Sequence, residues 1–259
     1  MKSITSRDNP GFKALRLLAK DTREQQRQGR TVLDGLHLVA DYRARVGRPE
    51  LLVVSESGEQ NPDVQALLAA HEGVELLRLR DALFDEISGV ATPVGLLATI
   101  VIPEAATAPI TSSAVLLEGI QDAGNVGTIL RSAAAAGIKD IVLGPGCAGV
   151  WTPRVLRAAQ GAHFSLAIRV ADDLASIAAS YAGLSVATLA AAGTPLYDLD
   201  LTGPVAWIFG NEGAGVSPDL AAAAKLRTTI PMAESSESLN VAAAAAVCLF
   251  EALRQRRRA

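Results

Sequence analysis

The sequence is poor in cysteine, histidine and aromatic residues, and each shortage argues against a class of site or fold. Its 259 residues include only Cys147 and Cys248 as cysteines, and aromatic residues make up 4%. Two cysteines far apart in apolar surroundings argue against a disulfide framework and favour a reducing cytoplasm. The three histidines, His37, His71 and His163, show no metal-ligand spacing with either cysteine. No metal is therefore expected.

Long apolar runs are also missing. No run approaches the roughly 18 uninterrupted apolar residues that a membrane-spanning helix needs, so none is predicted. The first residues, MKSITSRDNPGFK, lack the apolar core of a secretory signal, so none is expected there. Hydrophobic residues make up 49% and charged residues 20%, which indicates a globular protein with length for one large or two ordinary domains.

The charge is unevenly distributed along the chain. Residues 1–48 contain 11 Lys or Arg and 5 Asp or Glu, a net charge of +6. Four arginines lie at the other end, and residues 49–253 contain 9 basic and 22 acidic residues, a net charge of −13. Basic ends around an acidic middle fit a polyanion that is contacted locally. The alternative is a solvated helix face followed by an ordinary charged tail.

Two structural regions are predicted, with a boundary in the small, polar segment EAATAPITSS. Residues 1–48 have the pattern of two amphipathic helices around an extended piece, TVLDG, and strands are expected at LLVV, VELLRL and GLLATIVIP. From Ala114 onward, apolar strands alternate with helices, which predicts a parallel sheet covered on both faces. The predicted domains are 1–105 and 106–259.

Three loops could carry chemistry, since ligands of parallel sheets lie beyond the carboxyl ends of the strands. The first loop, EGIQDAGNVGTILRSA, follows the strand AVLLE. Asn125 is suited to start the next helix, and Arg131 would then lie one to two turns from that start. There it could bind a phosphate or a carboxylate. The alternative is an ion pair with Glu118 or Asp122.

The second loop, WIFGNEGAGVS, has glycines around a single charge, Glu212. Glycines allow a ligand to approach the backbone, and Glu212 could orient a hydroxyl or pair with an arginine. The alternative is a flexible hinge with a solvated glutamate.

The third segment, 230–258, passes from a strand through a polar turn into an alanine-rich helix predicted from Leu239 onward. Three serines are candidate caps of that helix: Ser235, Ser236 and Ser238. Exposed N–H groups at such a start suit a small-molecule pocket, although a capped, buried helix is the simpler interpretation.

The sequence GPGCAG at 144–149 matches the glycine spacing of a dinucleotide-binding loop. However, it leads into WTP rather than a helix, and no acidic residue follows at the distance required for binding a ribose. A dinucleotide site is therefore not predicted.

Together the three loops resemble the SpoU (TrmH-like) family of RNA ribose 2′-O-methyltransferases, a branch of the knotted SPOUT superfamily. The family's motifs are found in order as Asn125-Val-Gly-Thr-Ile-Leu-Arg131, as Ile208-Phe-Gly-Asn-Glu-Gly-Ala-Gly215, and as Ile230-Pro-Met with Ser238-Leu-Asn-Val241. The connecting TPRVLRAAQGAHF, 152–164, is also similar. The sequence departs from the family at Ala123 and Gly149, where proline and aspartate are common.

The resemblance implies an α/β fold with two parts. Residues 106–259 would form a SPOUT domain with a parallel sheet and a deep trefoil knot, and 1–105 a smaller α/β L30e-like RNA substrate-binding domain. It also implies a cytoplasmic homodimer that packs partly through the last helix. The cofactor would be S-adenosylmethionine, held mainly by backbone groups. The cofactor-binding positions are Gly210, Ile230, Leu239, Asn211 and Leu189.

The implied reaction is transfer of a methyl group to a ribose 2′-hydroxyl, with 23S ribosomal RNA as the expected substrate and transfer RNA as the alternative. Arg131 is the leading catalytic residue. Four further residues would shape the site and hold Arg131 and the ribose: Asn125, Glu212, Ser238 and Asn240. The candidates for contacting a structured RNA are Arg7, Lys13, Arg16, Arg23 and Arg27, with a solvated helix face as the alternative.

Two rival functions remain open at this level. One is a non-catalytic RNA-binding protein that keeps the fold. The other is a base methyltransferase of a related knotted family, although such enzymes lack this pairing of NxGxxxR with SLN.

Overall fold

A computed structural model describes residues 2–233 and 238–258, and the chain divides into two compact units. The N-terminal unit comprises the chain up to Glu104 together with Trp151–Phe164. The C-terminal unit comprises Ala105–Val150 and the chain from Ser165 onward. The domains predicted from the sequence, 1–105 and 106–259, divide one residue later and include 151–164 in the second domain.

The N-terminal unit alternates short strands and helices around one mixed sheet. Its elements are β1 (Lys2–Ile4), α1 (Pro10–Lys20), α2 (Thr22–Gln28), β2 (Arg30–Asp34), α3 (Leu36–Arg45), β3 (Leu51–Ser55), α4 (Pro62–Ala70), β4 (Glu75–Leu79), α5 (Asp81–Ile87) and β5 (Leu96–Val101). The strand order is β1-β4-β3-β5-β2, with β5 antiparallel to both of its neighbours. The three strands predicted in 51–103 are confirmed.

The prediction of two helices within residues 1–48 is wrong, because three helices form there. The side chain of Asp21 accepts hydrogen bonds from the backbone N–H groups of Arg23 and Glu24, which starts a new helix directly after α1. An aspartate in this capping position outweighs the continuous amphipathic pattern. Strand β1, which pairs with β4, was also missed, since three residues are too few to show a periodic pattern.

The second half of the chain is more regular. Its elements are β6 (Ala114–Leu117), α6 (Ala123–Ala135), β7 (Asp140–Leu143), α7 (Pro153–Ala159), β8 (Ala167–Val170), α8 (Leu174–Ser180), β9 (Leu184–Thr188), β10 (Thr194–Pro195), β11 (Val205–Phe209), α9 (Pro218–Ala223), β12 (Leu226–Thr229) and α10 (Val241–Arg256). All except α7 belong to the C-terminal unit.

The C-terminal unit contains a seven-stranded sheet in the order β10-β12-β9-β11-β6-β7-β8, and every neighbouring pair is parallel. All residues of the central strands β6 and β11 are buried, as expected for a sheet covered on both faces. The predicted α/β class with a parallel sheet is confirmed. None of the described helices is both long and apolar enough to cross a membrane.

The segment Trp151–Phe164, called the arm below, completes the core of the N-terminal unit. Leu156 of α7 is fully buried in a cluster with Leu33 and Val64. Thr31 donates its hydroxyl to the carbonyl of Trp151 at 2.6 Å. A helix between two parallel strands ordinarily covers their own sheet, which is why the sequence pattern placed this segment in the other domain.

Helix α10 begins at Val241 rather than at the predicted Leu239, because Asn240 is its cap. The Asn240 side-chain oxygen accepts from the N–H groups of Ala242 and Ala243 at 2.9 and 3.2 Å. Of the serines predicted as caps, Ser235 and Ser236 lie outside the described residues. Ser238 precedes the helix by three positions.

Candidate active site

A cavity of about 540 Å³ lies at the carboxyl ends of β9, β11 and β12, beside the start of α10. Its walls come from residues 188–191 and 209–216, from Ile230 and Met232, and from the residues around the start of α10. All five positions that the sequence predicts for a cofactor line it: Leu189, Gly210, Asn211, Ile230 and Leu239. Ser238 and Glu212, predicted as catalytic-site residues, line it as well.

The second loop is folded tightly enough to form a fixed wall. The backbone groups of Asn211 and Gly215 bond to each other in both directions, at 3.0 and 2.8 Å. The Asn211 side-chain oxygen accepts from the N–H groups of Gly213 and Ala214. A Cβ atom at Gly210 would lie 2.2 Å from the Gly215 backbone, so this position needs a glycine.

Two anchors attach the second loop to the segment that follows β6. The Asn211 side-chain nitrogen donates to the Gly119 carbonyl at 2.8 Å. The backbone N–H and the hydroxyl of Ser217 each donate to the Glu118 carboxylate at 2.7 Å. Glu118 was predicted only as an alternative partner of Arg131, and this anchoring role was missed. The sequence feature that could have indicated this role is an acidic residue directly after a buried strand, since such a carboxylate can accept from the N–H groups of a neighbouring loop.

A chain of hydrogen bonds joins one residue from each of the three motifs. The Asn125 amide nitrogen donates to the Glu212 carboxylate at 2.8 Å. The Asn240 amide nitrogen donates to the Asn125 side-chain oxygen at 3.0 Å. Asn125 therefore connects Glu212, at the wall of the cavity, to the cap of α10. Three residues separated by up to 115 positions are brought together in this way.

The start of α6 differs from the prediction. Asp122, not Asn125, caps the helix, and its carboxylate accepts from the Asn125 N–H at 2.9 Å. Asn125 is the third residue of α6, so its side chain is not used as a cap and is available for Glu212 and Asn240. Ala123, found where proline is common in the family, is the buried first residue of this helix.

Arg131 is the ninth residue of α6, about two turns from its start, and is exposed. Neither an ion pair nor a hydrogen bond joins its side chain to any residue within 2–233 and 238–258. The alternative of an ion pair with Glu118 or Asp122 is therefore wrong. Neither a hydrogen bond nor an ion pair joins Arg131 to Asn125, Glu212 or Asn240 in the described part of the chain, so its guanidinium remains open to an external anion.

The loop at 144–149 has a structural role. The Cys147 thiol donates to the Leu117 carbonyl at 3.3 Å, and burial raises the pKa of this thiol, which keeps it protonated. The next helix, α7, starts only at Pro153, so no helix N-terminus follows these glycines directly. Among the described residues, no group of three or more His, Cys, Asp or Glu is arranged to hold a metal ion.

Comparisons with known proteins point to one family. The SpoU rRNA methylase family matches residues 112–250, and the MRM3-like substrate binding domain matches residues 9–98. The 23S rRNA (guanosine(2553)-2′-O)-methyltransferase RlmP of Bacillus subtilis is 30% identical over 256 residues, covering 96% of this chain and 98% of the relative.

Solved structures match nearly the full length of the chain. An RNA 2′-O ribose methyltransferase matches with a TM-score of 0.85 and 30% identity, covering 98% of this chain and 99% of the other. The SpoU methyltransferase AviRb of Streptomyces viridochromogenes, in complex with AdoMet, matches with a TM-score of 0.87 and 26% identity, covering 96% and 98%.

Proposed function

The chain belongs to the SpoU rRNA methylase family, and we propose that it transfers the methyl group of S-adenosylmethionine to a ribose 2′-hydroxyl of 23S ribosomal RNA. The observation that carries this proposal is the hydrogen-bonded chain from Asn240 through Asn125 to Glu212. It assembles the three motifs at the edge of a cavity suited to the cofactor.

The cavity fits S-adenosylmethionine in size and chemistry. Small-molecule sites are commonly about 300–1,000 Å³, with apolar walls and a few polar groups. Leu189, Ile230 and Leu239 supply apolar walls, and the backbone around Gly210 is accessible because it lacks a side chain. Asn211 is held in place by four hydrogen bonds within the loop and one to Gly119. When bound, the cofactor supplies an electrophilic methyl group on a sulfonium.

We assign Arg131 to binding the phosphate beside the acceptor ribose. Because the methyl donor is already activated, the protein needs mainly to orient the 2′-hydroxyl and to allow its proton to leave. An arginine stays protonated in proteins, so orientation rather than proton removal suits it. Its exposure and its lack of an acidic partner among the described residues support this assignment.

We assign Asn125, Glu212 and Asn240 to holding the three motifs in register, with Ser238 at the wall of the cavity. Asn125 can serve both neighbours because an amide has a donor and an acceptor. Glu212 remains exposed beside Asn125, where it can accept from a ribose hydroxyl.

Four further features are inferred with this function. Residues 1–105 would select the RNA, and the C-terminal unit would carry the trefoil knot of the SPOUT superfamily. A homodimer would pack through the side of α10 that carries Ala243, Val247 and the half-exposed Phe250, since this stripe recurs at helical spacing. Methylation of ribosomal RNA would take place in the cytoplasm, which is the location we infer for the protein.

The proposal is tested by mapping 2′-O-methyl groups in total RNA from cells with and without the gene. Loss of one position in 23S rRNA is expected. Loss of a position in transfer RNA would change the substrate, and an unchanged map would contradict the activity. Thermal stabilisation by S-adenosylmethionine separates the enzyme from a non-catalytic RNA-binding protein, which would show none.

A further inference from the structure

The basic residues that the sequence nominates for RNA contacts are mostly neutralised within the N-terminal unit. Four of the five are paired with carboxylates: Arg7 and Arg16 with Glu86, Lys13 with Asp8, and Arg27 with Glu24. The guanidinium of Arg27 lowers the pKa of Glu24 to about 2, so this carboxylate stays ionised. A phosphate that approached these residues would have to compete with a carboxylate already in place.

Three other arginines of the same unit have no such partner. Arg43 and Arg45 lie in the last turn of α3, and Arg48 follows three residues later. All three are exposed, and no ion pair or side-chain hydrogen bond joins them to a residue in the described part of the chain. Elsewhere in the described part of this unit, no stretch of six residues contains three unpaired cations.

The two acids nearest to them in sequence do not pair with them. Glu50 accepts two hydrogen bonds from Arg30, at 2.7 and 2.9 Å. Asp41 lies 3.8 Å from the ring nitrogen of His37. The positive charge of residues 43–48 is therefore left for a partner outside the unit.

The element that carries these arginines is firmly held. Tyr42, the residue before Arg43, is buried, as is Val39 one turn earlier in α3. The Tyr42 ring packs edge-on against the ring of Phe164 in the arm, with ring centroids 5.4 Å apart. Helical rise places the Cα atoms of Arg43 and Arg45 about 5–6 Å apart, and chain length keeps Arg48 within about 11 Å of Arg45. Three cations on a rigid support within this distance can contact neighbouring phosphates of one RNA strand.

We propose that Arg43, Arg45 and Arg48 form the phosphate-binding surface through which the N-terminal unit holds its RNA, and that the carboxylate-paired residues Arg7, Lys13, Arg16 and Arg27 do not. The proposal rests on the proposed function, since it takes RNA as the substrate. Arginines at a helix C-terminus also stabilise the helix, but this effect does not involve Arg48, which lies beyond α3.

The test compares two variants of the full-length protein that each lose three positive charges. One carries Arg43→Gln, Arg45→Gln and Arg48→Gln, and the matched control carries Arg7→Gln, Lys13→Gln and Arg16→Gln. Affinity for an unmodified 23S rRNA transcript is measured over a series of salt concentrations. Affinity decreases with salt, so a plot of log affinity against log salt has a negative slope. The steepness of this slope should decrease by about 2 to 3 in the first variant, and by less than about 1 in the control.

Further measurements separate lost contacts from lost structure. Replacing the three arginines by lysine should keep most of the affinity, because lysine retains the charge that attracts phosphate. The glutamine variant should keep the unfolding midpoint and the affinity for S-adenosylmethionine. It should methylate the transcript with a KM for RNA raised at least tenfold and an unchanged kcat.

Three results would overturn the proposal: an unchanged salt slope in the first variant, an equal loss in the control, or a lower kcat with an unchanged KM. Failure of the proposed function gives a different pattern. In that case the wild-type protein would not methylate the transcript, while the contrast in salt slope between the two variants would persist.

Discussion

Replacing Asn125 by aspartate would place a second carboxylate where the Asn125 amide now donates to Glu212 at 2.8 Å. The aspartate would still accept the hydrogen bond from Asn240, so the change acts on one contact only. Two like charges about 3 Å apart repel by about 1.4 kcal/mol in water and about 5.5 kcal/mol at an effective dielectric constant of about 20. Both side chains are accessible to water, so the lower value applies.

Loss of a hydrogen bond to a charged group adds about 1.5 kcal/mol, which makes about 3 kcal/mol in total. If the hydrogen bond between Asn125 and Glu212 is needed in the transition state, kcat/KM should fall about 100-fold. The assay is the initial rate of methyl transfer from labelled S-adenosylmethionine to an unmodified 23S rRNA transcript. Affinity for S-adenosylmethionine, measured separately, should change little, because Asn125 does not line the cavity.

A second substitution should rescue this variant. When Glu212→Gln is added, the glutamine amide at position 212 can donate to the aspartate at position 125, which restores the contact with its donor and acceptor exchanged. Glu212→Gln alone should lower kcat/KM about fivefold, since a charged hydrogen bond becomes a neutral one. The double variant should be at least tenfold more active than Asn125→Asp. The reasoning is refuted if the double variant is no better, or if Asn125→Asp has wild-type activity.

Other substitutions test separate parts of the structure. Glu118→Ala and Ser217→Ala should each raise the KM for S-adenosylmethionine, and a double-mutant cycle should show a coupling of about 1.5–3 kcal/mol; additive effects would contradict the anchor. Leu156→Ala should lower the free energy of unfolding by about 2–5 kcal/mol in a denaturant titration, because this arm residue is fully buried; a change below about 1 kcal/mol would contradict the packing of the arm. Arg254 lowers the pKa of Glu251 from 4.5 to about 2, so the pair stabilises the fold above pH 4.5 and loses its effect as pH falls toward 2. Glu251→Gln should therefore lower the free energy of unfolding by about 1 kcal/mol at pH 7 and by less at pH 3. An equal decrease at both pH values would contradict the stabilising role of this pair.

The place of the cavity could be predicted because most of its walls follow buried strands. The apolar runs before Gly210 and Ile230 identify strand ends, and in a parallel sheet those ends meet at one edge. The five cofactor positions that the family resemblance implies all line one cavity there. Residues of the third segment could be placed beside the second loop only through the resemblance to a family, since no local pattern specifies which strands are neighbours.

Contacts between side chains distant in sequence were beyond prediction. Asparagine is a residue type typical of helix caps, which is why Asn125 was predicted to start α6. The observed cap is Asp122, three residues earlier. The arm packs in the N-terminal unit because Leu156 completes a cluster there, and periodicity within the arm does not indicate which core receives it. Likewise, the basic pattern at the start of the chain does not reveal that Glu86, far along the chain, pairs with both Arg7 and Arg16.

The proposed site is tested most directly by the position of the transferred methyl group in the wild-type protein and in Arg131→Ala. Both proteins are incubated with methyl-labelled S-adenosylmethionine and an unmodified 23S rRNA transcript, and the RNA is then digested to nucleosides. The label should be found in a 2′-O-methylated nucleoside with the wild type, and it should be absent or strongly reduced with Arg131→Ala although that variant still binds the cofactor. Label on a base, or full methylation by Arg131→Ala, would contradict the account.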